Sequence, residues 1–373
     1  MNEISVYVHL PFCVKKCAYC DFLSGDYGDD VKRAYLDRIL REIDHCSPVL
    51  SDRIIRSVYF GGGTPSLPDP SYISSIIRAV MDGHILKKDA EITIEMNPGT
   101  TDEKKVREYL KLGINRFSIG LQSMDENELK ALGRIHDPDD FLYLYDLLRK
   151  NGASNINVDL MTGIPHQTPA CAQRSLESVI ALAPEHIAVY SLILEEGTPF
   201  YEKGAENLDL PDEDTEEEIC EMTRLILAEN GYGRYEISNY AKKGYECRHN
   251  LVYWDLLDYI GFGASAASRI GNRRYTNIRN VEAYTASEVP LFEEDLLLDE
   301  SEWMSEFIIM GLRKTAGISL LDFSSRFGKE LEEVYGDVIE RYEGEGLLKK
   351  QEGRLFFTER GMDVSNIVLS GFV

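Results

Sequence analysis

Three cysteines fall within the stretch Cys13-Val14-Lys15-Lys16-Cys17-Ala18-Tyr19-Cys20. Just before them Ile4, Val6, Val8 and Leu10 alternate with Ser5, Tyr7 and His9, the period of a β-strand. Pro11 has no N–H to donate and ends the ladder. The thiols therefore lie on a loop leaving the first strand, where a chain can wrap a metal group. On a helix, spacings of three and two would point them apart. Three clustered thiolates suit an iron–sulfur cluster, whose cubane form takes four ligands, so one iron stays open. A four-thiolate zinc site lacks its second close pair, since Cys46, Cys171, Cys220 and Cys247 are isolated. Seven cysteines in a long chain with no signal peptide ahead of the motif argue against a disulfide framework.

Behind this loop, strand and helix rhythms alternate. Val31–His45 is apolar at helical spacing, and Ser57–Phe60 is strand-like and runs into Gly61-Gly62-Gly63-Thr64-Pro65-Ser66. The glycines allow a ligand to approach the backbone, and a tight turn explains them equally well. Helices are predicted over Tyr72–Met81, Lys104–Leu112, Phe141–Lys150 and Pro169–Leu182. Strands are predicted over Ala90–Pro98, Arg116–Ser123, Asn155–Met161 and His186–Leu192. Six strand–helix repeats imply a parallel sheet with right-handed crossovers; a closed eight-repeat barrel would need two more. Glu202–Glu218 reads as an acidic solvated loop before a helix near 219–227. Gly261–Ser268 is rich in small residues and suits close packing or ligand approach. From about Ser301 the composition changes: helices over Trp303–Leu312, Ile318–Phe327 and Leu331–Tyr342, then a hairpin about Gln351-Glu352-Gly353. The expected division is 1–290 and 291–373.

Acidic residues number 64 against 40 basic, a net charge of −24. That disfavours nucleic acid as a partner, whose binding rests on neutralised phosphates, but leaves room for a local basic pocket. No apolar run reaches the ~18 residues of a membrane span. The expected location is the cytoplasm.

Cys-x3-Cys-x2-Cys with an aromatic, Tyr19, before the last cysteine resembles the radical S-adenosylmethionine (SAM) superfamily. Tyr7-Val8-His9-Leu10-Pro11-Phe12 before it and Asp21-Phe22 after it are similar to the oxygen-independent coproporphyrinogen III oxidase group. The resemblance runs from Ser5 to the C-terminal region. It implies an open partial (βα)6 TIM-type barrel with a small C-terminal helical, winged-helix-like domain. It also implies a [4Fe–4S] cluster on Cys13, Cys17 and Cys20, with SAM on the open iron. The SAM positions it carries over are Tyr7, Tyr19, Gly62, Gly63, Thr64, Glu95, Gln122, Arg134 and Asp159. Read alone, Glu95 is a solvated strand end and Arg134 a surface charge.

The branch within the group turns on departures. The oxidases have a fourth cysteine where this chain has Phe22, and a longer N-terminal extension where twelve residues precede Cys13. The stretch His249-Asn250-Leu251-Val252-Tyr253-Trp254 resembles a signature of the haem-chaperone branch. That branch implies haem as cargo, haem-accepting partner proteins and no porphyrinogen turnover, with His249 as an iron ligand. It leaves room for peripheral membrane contact and for a homodimer. The competing readings are a radical decarboxylase of coproporphyrinogen III and, for His249, a hydrogen-bonded corner.

Overall fold

A computed structural model describes residues 2–373. The first half runs β1 (Asn2–Leu10), α1 (Asp29–Leu50), β2 (Arg53–Gly62), α2 (Pro70–Met81), β3 (Ile85–Met96), α3 (Glu103–Lys111) and β4 (Arg116–Gln122). Then come α4 (Glu126–Ala131), α5 (Pro138–Lys150), β5 (Ile156–Thr162), α6 (Pro169–Ala181) and β6 (His186–Ser191). Helix starts follow their caps: Asp102 accepts from Lys105 N, and Asp137 and Asp140 form a capping box.

Strands β1 to β6 pair in chain order and are all parallel. Parallel strands covered on both faces usually read as apolar runs. These alternate. Ile4, Val6, Val8, Ile92, Ile94, Phe117, Ile119, Ile156 and Val158 pack in one core with Tyr35, Ile39, Ile76, Tyr109, Phe141 and Leu144 of the helices. The opposite parity is largely polar and lines two cavities, so the concave face of the sheet is a ligand surface.

The chain continues through α7 (Pro199–Lys203), α8 (Glu213–Glu229), β7 (Gly233–Arg234), β8 (Asn239–Ala241), α9 (Arg248–Trp254), β9 (Tyr259–Phe262), β10 (Ala267–Ile270), β11 (Arg273–Asn277), α10 (Val281–Ala286) and β12 (Phe292–Leu297). These extend one sheet to the order β12-β11-β10-β9-β1-β2-β3-β4-β5-β6-β8-β7, which is open at both edges. The fold is thus an open α/β partial barrel.

One expectation is corrected and another is extended. The acidic stretch is not all loop: Glu213 to Glu218 form the first turns of α8, capped by Asp212. Acidic side chains are stabilised at a helix N-terminus by its dipole. The small-residue stretch holds a seventh parallel strand, with Gly261 paired to Tyr7. A Cβ at Gly261 would stand 2.3 Å from the Ala267 carbonyl oxygen, so close packing fixes the glycine.

The last part comprises α11 (Glu300–Leu312), β13 (Ile318–Ser319), α12 (Leu320–Phe327), α13 (Leu331–Gly344), β14 (Leu348–Gln351) and β15 (Arg354–Phe357). Its helix was expected from Ile318, but Ile318 and Ser319 pair with β15 and the Ser319 side chain caps α12. Met304, Phe307, Ile308, Phe323, Leu331, Ile339 and Leu355 form a second core. Glu352 and Gly353 at positive φ make the hairpin turn.

Candidate functional site

The cysteine loop is pinned at its base and its tip. Cys13 N donates to Gly25 O at 2.8 Å and Thr64 N to Phe12 O at 2.8 Å, which tie its base to the end of β2. Ala18 N donates to Leu132 O at 3.1 Å, and Phe200 N to Ala18 O at 3.0 Å. Gly63 is required here: a Cβ would meet Phe12 N at 2.9 Å and Cys13 Sγ at 3.0 Å. Cys13, Cys17 and Cys20 are free thiols, and burial pushes the thiols of Cys13 and Cys20 up.

Among the described residues no three His, Cys, Asp or Glu side chains converge on a single-ion site. Three free thiols on one loop, with no fourth cysteine beside them, are the donor set of a cubane with one open iron.

The three cysteines open on a cavity of about 590 Å³. Tyr19, Gly62, Gly63, Thr64, Glu95, Gln122, Arg134 and Asp159 also line it. One polar chain joins two of the cysteines through these residues. Cys13 Sγ lies 3.6 Å from Thr64 Oγ1, to which Asn97 Nδ2 donates at 2.7 Å. Arg134 donates to Asn97 Oδ1 at 2.7 Å, to Gly120 O at 2.6 Å and to Cys17 Sγ at 3.7 Å. Arg134 is therefore a cavity residue and no surface charge. Asn97, which the sequence offered only as a strand end, is the hinge of this chain.

Glu95 accepts from Tyr59 OH at 2.8 Å and from Gly62 N at 3.1 Å. Burial pushes its carboxyl up to about 7, and that of Asp159 up to about 6. Asn157 Nδ2 donates to Asp159 at 2.6 Å. Gln122 ends β4 at φ 74, a left-handed conformation that strains a non-glycine residue at the cavity wall.

Because Glu95 binds its proton more tightly folded than unfolded, native stability is lost as pH rises through about 7. Glu95→Gln removes that cost. The variant, free of ligands, should match wild type at pH 4 and exceed it by about 2 kcal/mol at pH 8 in denaturant melts. A difference that stays flat with pH would remove the buried-acid account.

Two carried-over residues sit elsewhere. Tyr7 lines a neighbouring cavity of about 260 Å³, where its hydroxyl bonds His9 Nδ1 at 3.0 Å. Asp21 and Phe22 line both cavities, so Tyr7 adjoins the larger site without entering it.

His249 is 1% exposed and lines neither cavity. Its Nδ1 bonds Ser57 Oγ at 2.9 Å and its Nε2 bonds Tyr253 OH at 2.9 Å. Burial pushes it down to about 3, and its ring stacks on Tyr59 at 5.0 Å. With both ring nitrogens engaged, His249 offers none to an iron in this conformation, the geometry of a hydrogen-bonded corner. Glu91 caps α9 by accepting from Arg248 N and His249 N. The helix plugs the inner end of the barrel, and Asn250, not His249, reaches the larger cavity.

The Radical SAM superfamily profile matches residues 7–179, and the HemN C-terminal domain profile matches 298–364. The chain is 32% identical over 372 residues to heme chaperone HemW of Lactococcus lactis, covering 99% of this chain and 97% of that one. It is 31% identical to heme chaperone HemW of Bacillus subtilis, covering 99% of each. With heme chaperone HemW of Escherichia coli it shares 39% over 271 residues, covering 72% and 71%. The solved structure of E. coli coproporphyrinogen III oxidase (HemN), a radical SAM enzyme, matches with a TM-score of 0.86 at 22% identity, covering 100% of this chain and 90% of that one. At that identity the likeness speaks for the fold.

Proposed function

The chain belongs to the radical SAM superfamily and, within it, to the HemW family, and from that premise we propose that it binds haem and passes it to acceptor proteins. Cys13, Cys17 and Cys20 would hold a [4Fe–4S] cluster. When bound, that group supplies an open iron and an electron to SAM. The residues of the cavity would hold the SAM itself. Gly62 and Gly63 give it backbone access, Arg134 offers a fork to its carboxylate, and Glu95 and Asp159 accept from its polar groups. We place these functions in residues 1–290 and a partner-facing role in 291–373, in the cytoplasm. Among the described residues no helix is long and apolar enough to cross a membrane.

One observation carries the haem reading. Val14, Phe22, Ile135 and Ile193 are 53%, 63%, 54% and 65% exposed and all line the mouth of the larger cavity. A rim of large exposed apolar side chains marks a binding surface, and a flat macrocycle is a fitting occupant. Phe22, where the oxidases have a cysteine, is part of it.

The test is anaerobic reconstitution followed by haem titration and an assay for coproporphyrinogen III loss. The expected result is a saturable haem absorbance shift, haem delivery to an apo-acceptor and no porphyrinogen turnover. Turnover without haem binding would overturn the proposal in favour of a decarboxylase. Arg134→Ala should weaken SAM by about 1.5–3 kcal/mol, the scale of a charged hydrogen bond. Calorimetry on reconstituted protein with unchanged iron content checks it, and an unaltered affinity would remove Arg134 from the site.

A further inference from the structure

Arg116 opens β4, and its side chain is 2% exposed yet lines the larger cavity. Among the described residues its guanidinium has no carboxylate partner, and its Nε has no hydrogen-bond acceptor. Thr93, its ladder partner on β3, is also fully buried with an unpartnered hydroxyl. A buried charge without a partner is costly, so such a group is kept where something else pairs with it.

The groups around Arg116 are engaged elsewhere. Glu91 accepts from Cys247 Sγ, Arg248 N and His249 N. Tyr59 OH donates to Glu95, and Tyr235 OH serves His186 and Cys247 N. Register sets the cavity acids farther along the strands, where they feel its charge without forming an ion pair with it. Arg116 pairs with Thr93, two residues before Glu95, while Asp159 pairs with Gly120, farther along β4. Arg116 therefore stands at the inner end of the cavity, toward the α9 plug, while the acids and the second guanidinium, Arg134, lie nearer the cysteine loop. Asn250 of that plug lines the same cavity, and among the described residues its amide has no partner.

We propose that Arg116, with the amide of Asn250, binds a carboxylate of the ligand that fills the inner end of this cavity. The guanidinium fork matches a carboxylate in two parallel hydrogen bonds. The inference rests on the tetrapyrrole reading for one source of that carboxylate, a propionate of haem. The other source with the same chemistry is the aminoacyl carboxylate of SAM, bound here in place of the Arg134 contact proposed above.

The experiment titrates reconstituted protein separately with haem, with haem dimethyl ester and with SAM, comparing wild type, Arg116→Gln and Arg116→Lys. Iron content and melting temperature are read in parallel. The expected result is a loss of about tenfold or more in haem affinity for Arg116→Gln, with the ester, SAM and iron content unchanged. Arg116→Lys keeps the charge without the fork and should lie between. If SAM affinity falls and haem does not, the site stands with SAM as the carboxylate source. If Arg116→Gln does not fold, Arg116→Lys and the wild-type preference for haem over its ester decide. Equal affinities for all three ligands across the folded variants overturn the inference. A wild type that binds neither haem nor its ester fails the haem proposal, and the SAM titration alone then decides Arg116.

Discussion

Replacing Cys13, Cys17 and Cys20 together with alanine should abolish the brown chromophore of the anaerobically reconstituted protein and reduce iron and sulfide from about four per chain to background. The effect is all-or-none because thiolates are the ligands, and no other cluster of cysteines is within reach: Cys46, Cys171 and Cys220 lie apart, and Cys247 is buried against Glu91. The fold should survive. The three side chains are half-buried, and the loop is held by backbone bonds from Cys13 N, Ala18 N and Thr64 N, which alanine keeps. Stability should change by no more than about 1 kcal/mol. Iron and sulfide remaining near four per folded chain would refute the assignment.

His249→Ala should lower stability by about 3 kcal/mol at pH 7, because it leaves a cavity in a fully buried place and strands the Tyr253 hydroxyl. Ser57 keeps Ser5 at 2.7 Å, but Tyr253 OH loses its acceptor or donor. The pH dependence adds a sign. The histidine is held well below its ordinary value, so between pH 7 and pH 5 the unfolded chain takes up a proton that the folded one refuses. Wild type loses stability over that window and the variant does not, so the penalty should shrink by about 2 kcal/mol by pH 5. Haem should still shift its absorbance in variant protein kept folded at low temperature. Selective loss of that shift, with cluster and SAM affinity intact, would restore His249 as an iron ligand.

The alternation of Ile4, Val6, Val8 and Leu10 with Ser5, Tyr7 and His9 determined which side of β1 faces helices, and the same local period did so for β3. Strand period and repeat count are local properties, so the six parallel strands and the cysteine loop at the end of the first were legible. The apolar helices and hairpin after Ser301 were legible for the same reason. Other features depended on contacts between distant segments. Gly261 and Phe262 read only as part of a small-residue stretch suited to close packing, because their strand is defined by pairing with Tyr7 and Val8, more than 250 residues earlier. The motif at His249 announced a site without saying which side chain enters it. The burial of α9 against β2 and β3 turned His249 to Ser57 and left Asn250 to the cavity. Arg116 read only as the first residue of a predicted strand. Only closure of the concave face around it, with no acceptor within reach of its Nε, made it a buried cation facing a cavity. Sequence period sets which face a side chain takes; what that face meets is set by tertiary packing, because hydrogen-bond satisfaction is decided by neighbours far away in the chain.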